Sequence, residues 1–281
     1  MRDKAVFVIF AVASLVAIAA GCVAMAESGI APSSWLRSVV AWIVGGGLAW
    51  LLARNGKPRR VSTGAVLLTT AALIATLFAS AVDGVHRWLD IGPLHINAAA
   101  LFLPAVIVGL AALRIAKPSG IVIAILTAAI LLAQPDASQL TSFAIAVSIL
   151  VARSAMAPRW KVFAFLVAAG FAICGWLRPD TLQPVADVER IFAMCVAVSP
   201  ILAFIASLAL AAASLAPLAR SSPAGHPARD AAIALSAYFV AVSIVPFFGW
   251  FPVPLVGLGM SFPVGWWLGM GLLLVTARPP Q

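Results

Sequence analysis

The chain has 281 residues, of which 63% are hydrophobic and only 10% charged, and its mean hydropathy is +1.10. Soluble domains carry about 25% charged residues, so this composition excludes a water-soluble globular protein and makes lipid the solvent. The net charge of +9 would suggest nucleic acid in a soluble protein. In an apolar chain the placement of the charges along the sequence has to be read first.

Charges, prolines and glycines mark off ten apolar segments: 5–25, 35–53, 61–82, 98–116, 120–133, 139–157, 161–177, 191–219, 231–250 and 255–276. About 20 apolar residues cross a bilayer, somewhat fewer where it thins. The first segment follows Met1-Arg2-Asp3-Lys4, is long enough to span and has no clear small-residue cleavage pattern. It reads as a retained helix rather than a signal peptide. The expected architecture is therefore an all-α polytopic membrane protein with about ten transmembrane helices, forming one integral membrane domain over residues 1–281.

Lys and Arg set the orientation. With the N-terminus inside, the inner segments hold 14 of the 18 basic residues: Arg2, Lys4, Arg54, Lys57, Arg59, Arg60, Arg114, Lys117, Arg153, Arg159, Lys161, Arg220, Arg229 and Arg278. Only Arg37, Arg87, Arg178 and Arg190 fall outside. This is the positive-inside pattern, with both termini cytoplasmic, and it accounts for the charge without nucleic acid. The acids do the reverse. Glu27, Asp83, Asp90, Asp136, Asp180, Asp187 and Glu189 lie outside, and only Asp3 and Asp230 lie inside. Acids contribute little to insertion, so the outer side is where the polar chemistry gathers.

No Asp, Glu, Lys, Arg or His falls near the middle of any span. Intramembrane charges usually mark ion or proton paths, so a proton-coupled pump or ion channel is disfavoured. Cys22, Cys174 and Cys195 sit in apolar runs without CxxC or His-partnered spacing, as inert thiols do. Gly45-Gly46-Gly47 lacks a following Lys-Ser/Thr and fits close helix contact rather than phosphate binding. Trp35, Trp88, Trp160, Trp176 and Trp250 fall near span ends as belt residues. Trp266 and Trp267 lie deeper, against a neighbouring helix or a lipid chain. His226 is expected to be solvated in the inner loop 221–227.

Three outer stretches concentrate the remaining chemistry. Asp83 to Asn97 holds two acids, two histidines, Arg87, Trp88 and a Gly92-Pro93 turn. Gln134-Pro135-Asp136 ends the fifth span, and 178–190 joins the seventh to the eighth. His86 and His95, nine apart across the Gly-Pro turn, could meet at a metal, but solvated or hydrogen-bonded rings fit the loop better. Asp136, at the start of the sixth span, has the place of a helix cap, as has Ser138.

Taken in order, these stretches resemble the SEDS family, the RodA/FtsW group of polytopic cell-wall polymerases. Gly84, Arg87, Trp88, Leu89, Ile91, Gly92, Pro93 and Ile96 match its Gly-x-x-Arg-Trp…Gly signature in register. Gln134-Pro135-Asp136 matches its Gln-Pro-Asp, and Glu189-Arg190-Ile191-Phe192-Ala193 its eighth-helix start. Gly249-Trp250-Phe251-Pro252-Val253 with Ser261-Phe262 is similar to its closing motif. Three features depart. Asn97-Ala98-Ala99-Ala100 replaces the family's Gln-Pro-Ser-Glu, Pro263-Val264-Gly265 its Gly-Gly-Ser-Ser ending, and the loop before the eighth span is short.

The resemblance implies a peptidoglycan glycosyltransferase that extends lipid II, or another polyprenyl-diphosphate-linked sugar, at the outer face of the bacterial cytoplasmic membrane, in cell shape or division. It also implies pairing with a class B penicillin-binding transpeptidase. Such transfer needs a carboxylate base and positive charge near the leaving diphosphate, from arginine or a divalent metal. The resemblance places Asp180 as that base, with Asp187 second. Arg87, Trp88 and Asp136 fall in substrate binding, Asp136 with the capping role as its alternative. The three departures keep open a scaffold or regulator of the wall-synthesis complex without catalysis. A lipid-linked precursor transporter is the third reading.

Overall fold

The computed structural model describes residues 2–278 except 93, 221 and 224, and for residues 2–4 the backbone alone. Pro93 of the expected Gly-Pro turn, and Ser221 and Ala224 of the inner loop, thus lie outside the described residues. The helices are α1 (Arg2–Glu27), α2 (Pro32–Asn55), α3 (Pro58–Thr76), α4 (Ala98–Ala112), α5 (Pro118–Ala133), α6 (Ala137–Arg153), α7 (Pro158–Leu177), α8 (Ala186–Glu189), α9 (Ile191–Val198), α10 (Pro200–Leu215), α11 (Pro227–Ile244) and α12 (Ser261–Thr276). Between α3 and α4 lies an antiparallel hairpin of β1 (Trp88–Ile91) and β2 (Leu94–Asn97).

Proline sets many of the boundaries. Helices α2, α3, α5, α7, α10 and α11 each open on a proline in the first turn. There the missing N–H costs nothing and the fixed φ is already helical. The same rule overturns one expected element. Span 191–219 is broken into α9 and α10, because Pro200 cannot continue a helix. The Ser199 hydroxyl caps the new start by accepting the Ile201 N–H at 3.2 Å. Span 255–276 is also shorter than expected: residues 251–260 form an irregular, largely buried segment, and α12 begins only at Ser261.

The chain is a polytopic membrane protein. Helices α1, α2, α7, α10 with its 3-10 extension, and α11 with its own are each long and apolar enough to cross, and α4, α5, α6 and α12 are shorter apolar helices. Their outward faces carry bare aliphatic and aromatic side chains, such as Leu166 at 67% and Phe204 at 68% exposure, that only lipid can cover. Residues assigned to one side of the membrane meet one another. At the inner end Arg278 donates to the carbonyls of Arg54 and Gly56, and Arg153 pairs with Asp230. At the outer end Arg178 donates to the Leu132 carbonyl and Thr181 to that of Asp83.

Helix α12 is the axis of the bundle, seated between α2 and α4. It lies close because its contact stripe has no side chains. A Cβ on Gly265 would sit 2.2 Å from the Ala100 carbonyl oxygen, and one on Gly271 would sit 2.8 Å from the Ala49 Cα. Pro104, inside α4, has no N–H to offer the Ala100 carbonyl one turn back. That freed oxygen is where α12 approaches most closely, in the manner of small-residue membrane packing. Gly45 of the glycine triplet meets Val264 and Trp267, as expected, whereas Gly47 faces open space. Trp266 and Trp267 are fully buried among protein rings rather than lipid: Trp266 stacks on Phe239 at 3.9 Å, and Trp267 meets Phe7 and Phe10, each at 4.7 Å.

Gly265→Ala is expected to destabilise the detergent-purified protein by about 1–3 kcal/mol through overpacking. Gly47→Ala should stay within about 0.5 kcal/mol. Thermal unfolding of the two variants side by side checks the α12–α4 contact.

Candidate active site

The outer stretch 83–97 folds into two turns rather than a plain polar loop. Asp83 and Gly84 both take positive φ (49° and 80°) and close Val82 on Val85 in a two-residue turn. This is the Asp-Gly hairpin preference. The following hairpin pairs Trp88 with Asn97 and Asp90 with His95. Its base is tied to α4, where Ala98 N–H donates to the Arg87 carbonyl and the Asn97 side chain accepts from Ala100 N–H. The two histidines are held separately. His86 Nδ1 lies 2.9 Å from the Ala79 carbonyl, while His95 stacks on Trp88 and contacts Asp90 at 2.5 Å.

The hairpin delivers Arg87, whose side chain is 95% buried, into the gap between the other two outer stretches. Its Nε donates to the Gln134 carbonyl at 2.9 Å, and its Nη2 donates to the Pro135 carbonyl and, at 2.7 Å, to Asp180 Oδ2. Asp136 Oδ2 lies 3.7 Å from the same Nε. Arg87, Asp136 and Asp180 thus converge on one small cavity, of about 40 Å³, whose wall also includes Trp88, Gln139 and Glu189.

Each acid is placed by local structure. Asp136 caps α6, its Oδ1 accepting the Gln139 N–H at 3.1 Å. Gly175 lets α7 end close to the start of α6, since a Cβ there would meet Leu140 at 2.8 Å. Three residues after α7, Asp180 turns inward, its Oδ1 accepting the Leu182 N–H. The rest of the loop is pinned by the Asp187 and Val188 carbonyls, which accept from Leu258 and Val253.

The carboxylates differ in reach. Asp136 is 6% exposed and Asp180 24%. Burial pushes the Asp136 carboxyl up from its ordinary range, against the opposing pull of Arg87 and the Gln139 N–H. Arg87 and Asp180 form the close ion pair, with Asp180 as its solvent-reachable member. Asp187 is half-buried and does not line the cavity; Glu189, from the same turn of α8, does. Burial also raises Glu189, partly offset by the Val185 N–H it accepts at 2.6 Å, with Asp187 and Asp180 adding to the rise.

Sequence reasoning placed Glu189 among the outer acids and in the eighth-helix motif but not in the site, and it missed the buried polar contacts behind the cavity. Tyr238, the chain's one tyrosine, donates to Gln139 Oε1 at 2.5 Å across 99 residues, and Gln134 Nε2 donates to Thr76. An isolated tyrosine and two glutamines inside apolar runs were the available signals. Among the described residues no three His, Cys, Asp or Glu side chains are grouped to hold a metal ion. The acids at the cavity face Arg87 and backbone N–H groups instead.

Two of the family departures prove to be one contact. Ala100, standing where the family has glutamate, is 1% exposed against α12, and Ser261 Oγ accepts the Asn97 N–H at 3.0 Å. The stretches that differ from the SEDS signatures, at Ala100 and after Ser261, face each other across the α4–α12 seam.

No family model and no curated protein matches the chain. Among solved structures, Thermus thermophilus rod shape determining protein RodA aligns with a TM-score of 0.66 at 18% identity, over 96% of each chain. A point mutant of that RodA gives 0.68 at 18% identity, covering 96% of this chain and 97% of the other. The chain has the RodA, or SEDS, fold. A peptidoglycan synthase complex that coordinates polymerization and crosslinking gives 0.67 at 19%, over 96% and 97%. At such identities the likeness speaks for the fold, and the SEDS-type fold sets the frame in which the outer cavity is read.

Removing the guanidinium should be costly. Arg87→Met leaves a buried acid uncompensated and is expected to cost about 3–5 kcal/mol. Arg87→Lys should recover only part, because an ammonium cannot reproduce the fork. Tyr238→Phe, which strands Gln139 Oε1, should cost about 1–3 kcal/mol. Denaturant or thermal unfolding in detergent reads all three.

Proposed function

We propose that this protein is a SEDS-type peptidoglycan glycosyltransferase that polymerises lipid II at the outer face of the bacterial cytoplasmic membrane, serving cell shape or division beside a class B penicillin-binding transpeptidase. One observation carries the reading. A partly exposed carboxylate, Asp180, is fixed at 2.7 Å by a buried arginine at the outer mouth of a RodA-type fold. In the transfer, Asp180 takes the proton of the acceptor hydroxyl as that oxygen attacks the anomeric carbon, and the polyprenyl diphosphate departs. Arg87 is a positioning residue here. Its Nε and Nη2 are already committed to Gln134, Pro135 and Asp180, so it orients the base instead of holding the diphosphate. Trp88 and Asp136 form part of the wall.

The cavity also supports a second reading. At about 40 Å³ it is far below the roughly 300–1,000 Å³ of ligand pockets. Catalysis therefore requires residues 178–190 to move outward, whereas a scaffold that binds its transpeptidase and makes no polymer requires nothing of the kind.

Purified protein supplied with lipid II, with and without divalent metal, separates the two. Glycan polymer should form, and Asp180→Asn should lower its rate by about 10²–10⁴-fold, the usual worth of a positioned base. Full activity in Asp180→Asn removes Asp180 from the mechanism. No polymer under any metal condition, together with co-purification of a single-span transpeptidase, establishes the scaffold.

A further inference from the structure

A groove of about 460 Å³ lies between α5, α6 and α7, away from the outer cavity. Helix α7 creates it. Among the described residues, Gly175 is the one buried residue of α7, and it sits near the outer end against Leu140 of α6. Toward the inner end no α7 side chain is buried. There the walls are Ile121 and Ala128 of α5, Val147 of α6, and Trp160, Phe163 and Phe171 of α7, and every lining side chain is apolar. Trp160 and Phe163 are 52% and 58% exposed. The chain does not fill this space itself, so atoms of the surrounding hydrocarbon have to supply the missing contacts.

The dimensions match one leaflet. From Trp160 to Phe171 the groove follows α7 for about 16 Å, roughly half the hydrocarbon core of a bilayer. It begins at the inner end, where Ile115 and Ala116 of the α4–α5 turn and Met156 form its mouth. Gly120 folds that turn back on α5, since a Cβ there would meet the Ile115 backbone at 2.8 Å. A helix of the same length and about 10 Å across would need roughly 1,200 Å³, so the groove suits a hydrocarbon chain rather than a helix.

The mouth is basic. Arg114 and Lys117 flank Ile115 and Ala116, and Arg159 precedes Trp160, its guanidinium carbon 5.8 Å from the indole centroid. All three are exposed, and among the described residues none has an acid partner. Asp230, an acid of the same side, is held by Arg153, and Lys161 is turned to the Ala152 carbonyl. Unanswered cations above an apolar groove fit an amphiphile that is anionic at the interface and hydrocarbon below it. Cytoplasmic-side basic clusters have this relation to acidic headgroups.

We propose that the groove between α5, α6 and α7 binds an anionic phospholipid of the inner leaflet, its acyl chain along the groove and its phosphate at Arg114, Lys117 and Arg159. The site does not depend on the reaction proposed for the outer cavity.

Native mass spectrometry of the detergent-purified full chain, titrated with phosphatidylglycerol, phosphatidylcholine or undecaprenyl phosphate, tests this. Phosphatidylglycerol should bind tightest. Arg114→Ala/Lys117→Ala/Arg159→Ala should weaken it about a hundredfold, at roughly fivefold per residue. Lys117→Ala alone should show the fivefold loss and guards against misfolding of the triple variant. Ala164→Phe, which fills the groove without touching the charges, should weaken both phospholipids. Arg54→Ala/Lys57→Ala/Arg229→Ala removes three exposed basic residues of the same side outside the groove and should leave binding unchanged. The proposal is overturned if the variants at the mouth bind phosphatidylglycerol as the parent does, if Ala164→Phe has no effect, or if the Arg54/Lys57/Arg229 variant loses as much. Equal binding of phosphatidylcholine overturns the charge selection, and tighter binding of undecaprenyl phosphate gives the groove to a polyprenyl tail instead.

Discussion

Taking a guanidinium out of water in a chain this apolar is tolerable only if its donors are met and its charge is answered. Arg87 satisfies both conditions with groups from two separate stretches: the Gln134 and Pro135 carbonyls with the Asp136 cap at the break between α5 and α6, and Asp180 beyond α7. The order of the outer surface follows from that requirement. The β-hairpin exists to carry Arg87 inward, α6 begins where its cap can face the arginine, and the loop after α7 turns back to bring a second acid to it. Gly175 makes the last step possible by bringing the end of α7 close to the first turn of α6.

Below this cluster the bundle is held by shape instead of charge. Helix α12 lies against α2 and α4 through glycines and alanines, and against α1 and α11 through a stack of rings, Trp266 on Phe239 and Trp267 on Phe10. In lipid there is little hydrophobic gain from bringing helices together, so close van der Waals contact has to supply the association. Ala100 shows how close this contact is: a Cβ on the facing Gly265 would sit 2.2 Å from its carbonyl oxygen.

The two ends of the molecule are chemically opposite. The outer end gathers acids around one buried arginine, and the inner end gathers arginines with few acids.

Much of this architecture was legible in the residues alone. Apolar run length located the helical segments, Lys and Arg sorted the sides, the Gly-x-x-Arg-Trp and Gln-Pro-Asp spacings pointed to the fold and to Arg87 and Asp136, and the place just after the seventh span pointed to Asp180. These are local properties, set by transfer free energy per residue and by the missing N–H of proline, so they can be read without knowing what packs on what. Even the break at Pro200 was available in that way, hidden only by the length of the apolar run around it. The tertiary structure alone decided that Glu189 rather than Asp187 faces the cavity, that Arg87 is bonded to Asp180 and the Gln134 and Pro135 carbonyls, that Tyr238 reaches Gln139 across 99 residues, and that Ala100 lies under Gly265. Those outcomes depend on how each helix is rotated and on where irregular loops are pinned, and both are set by contacts between residues far apart in the chain.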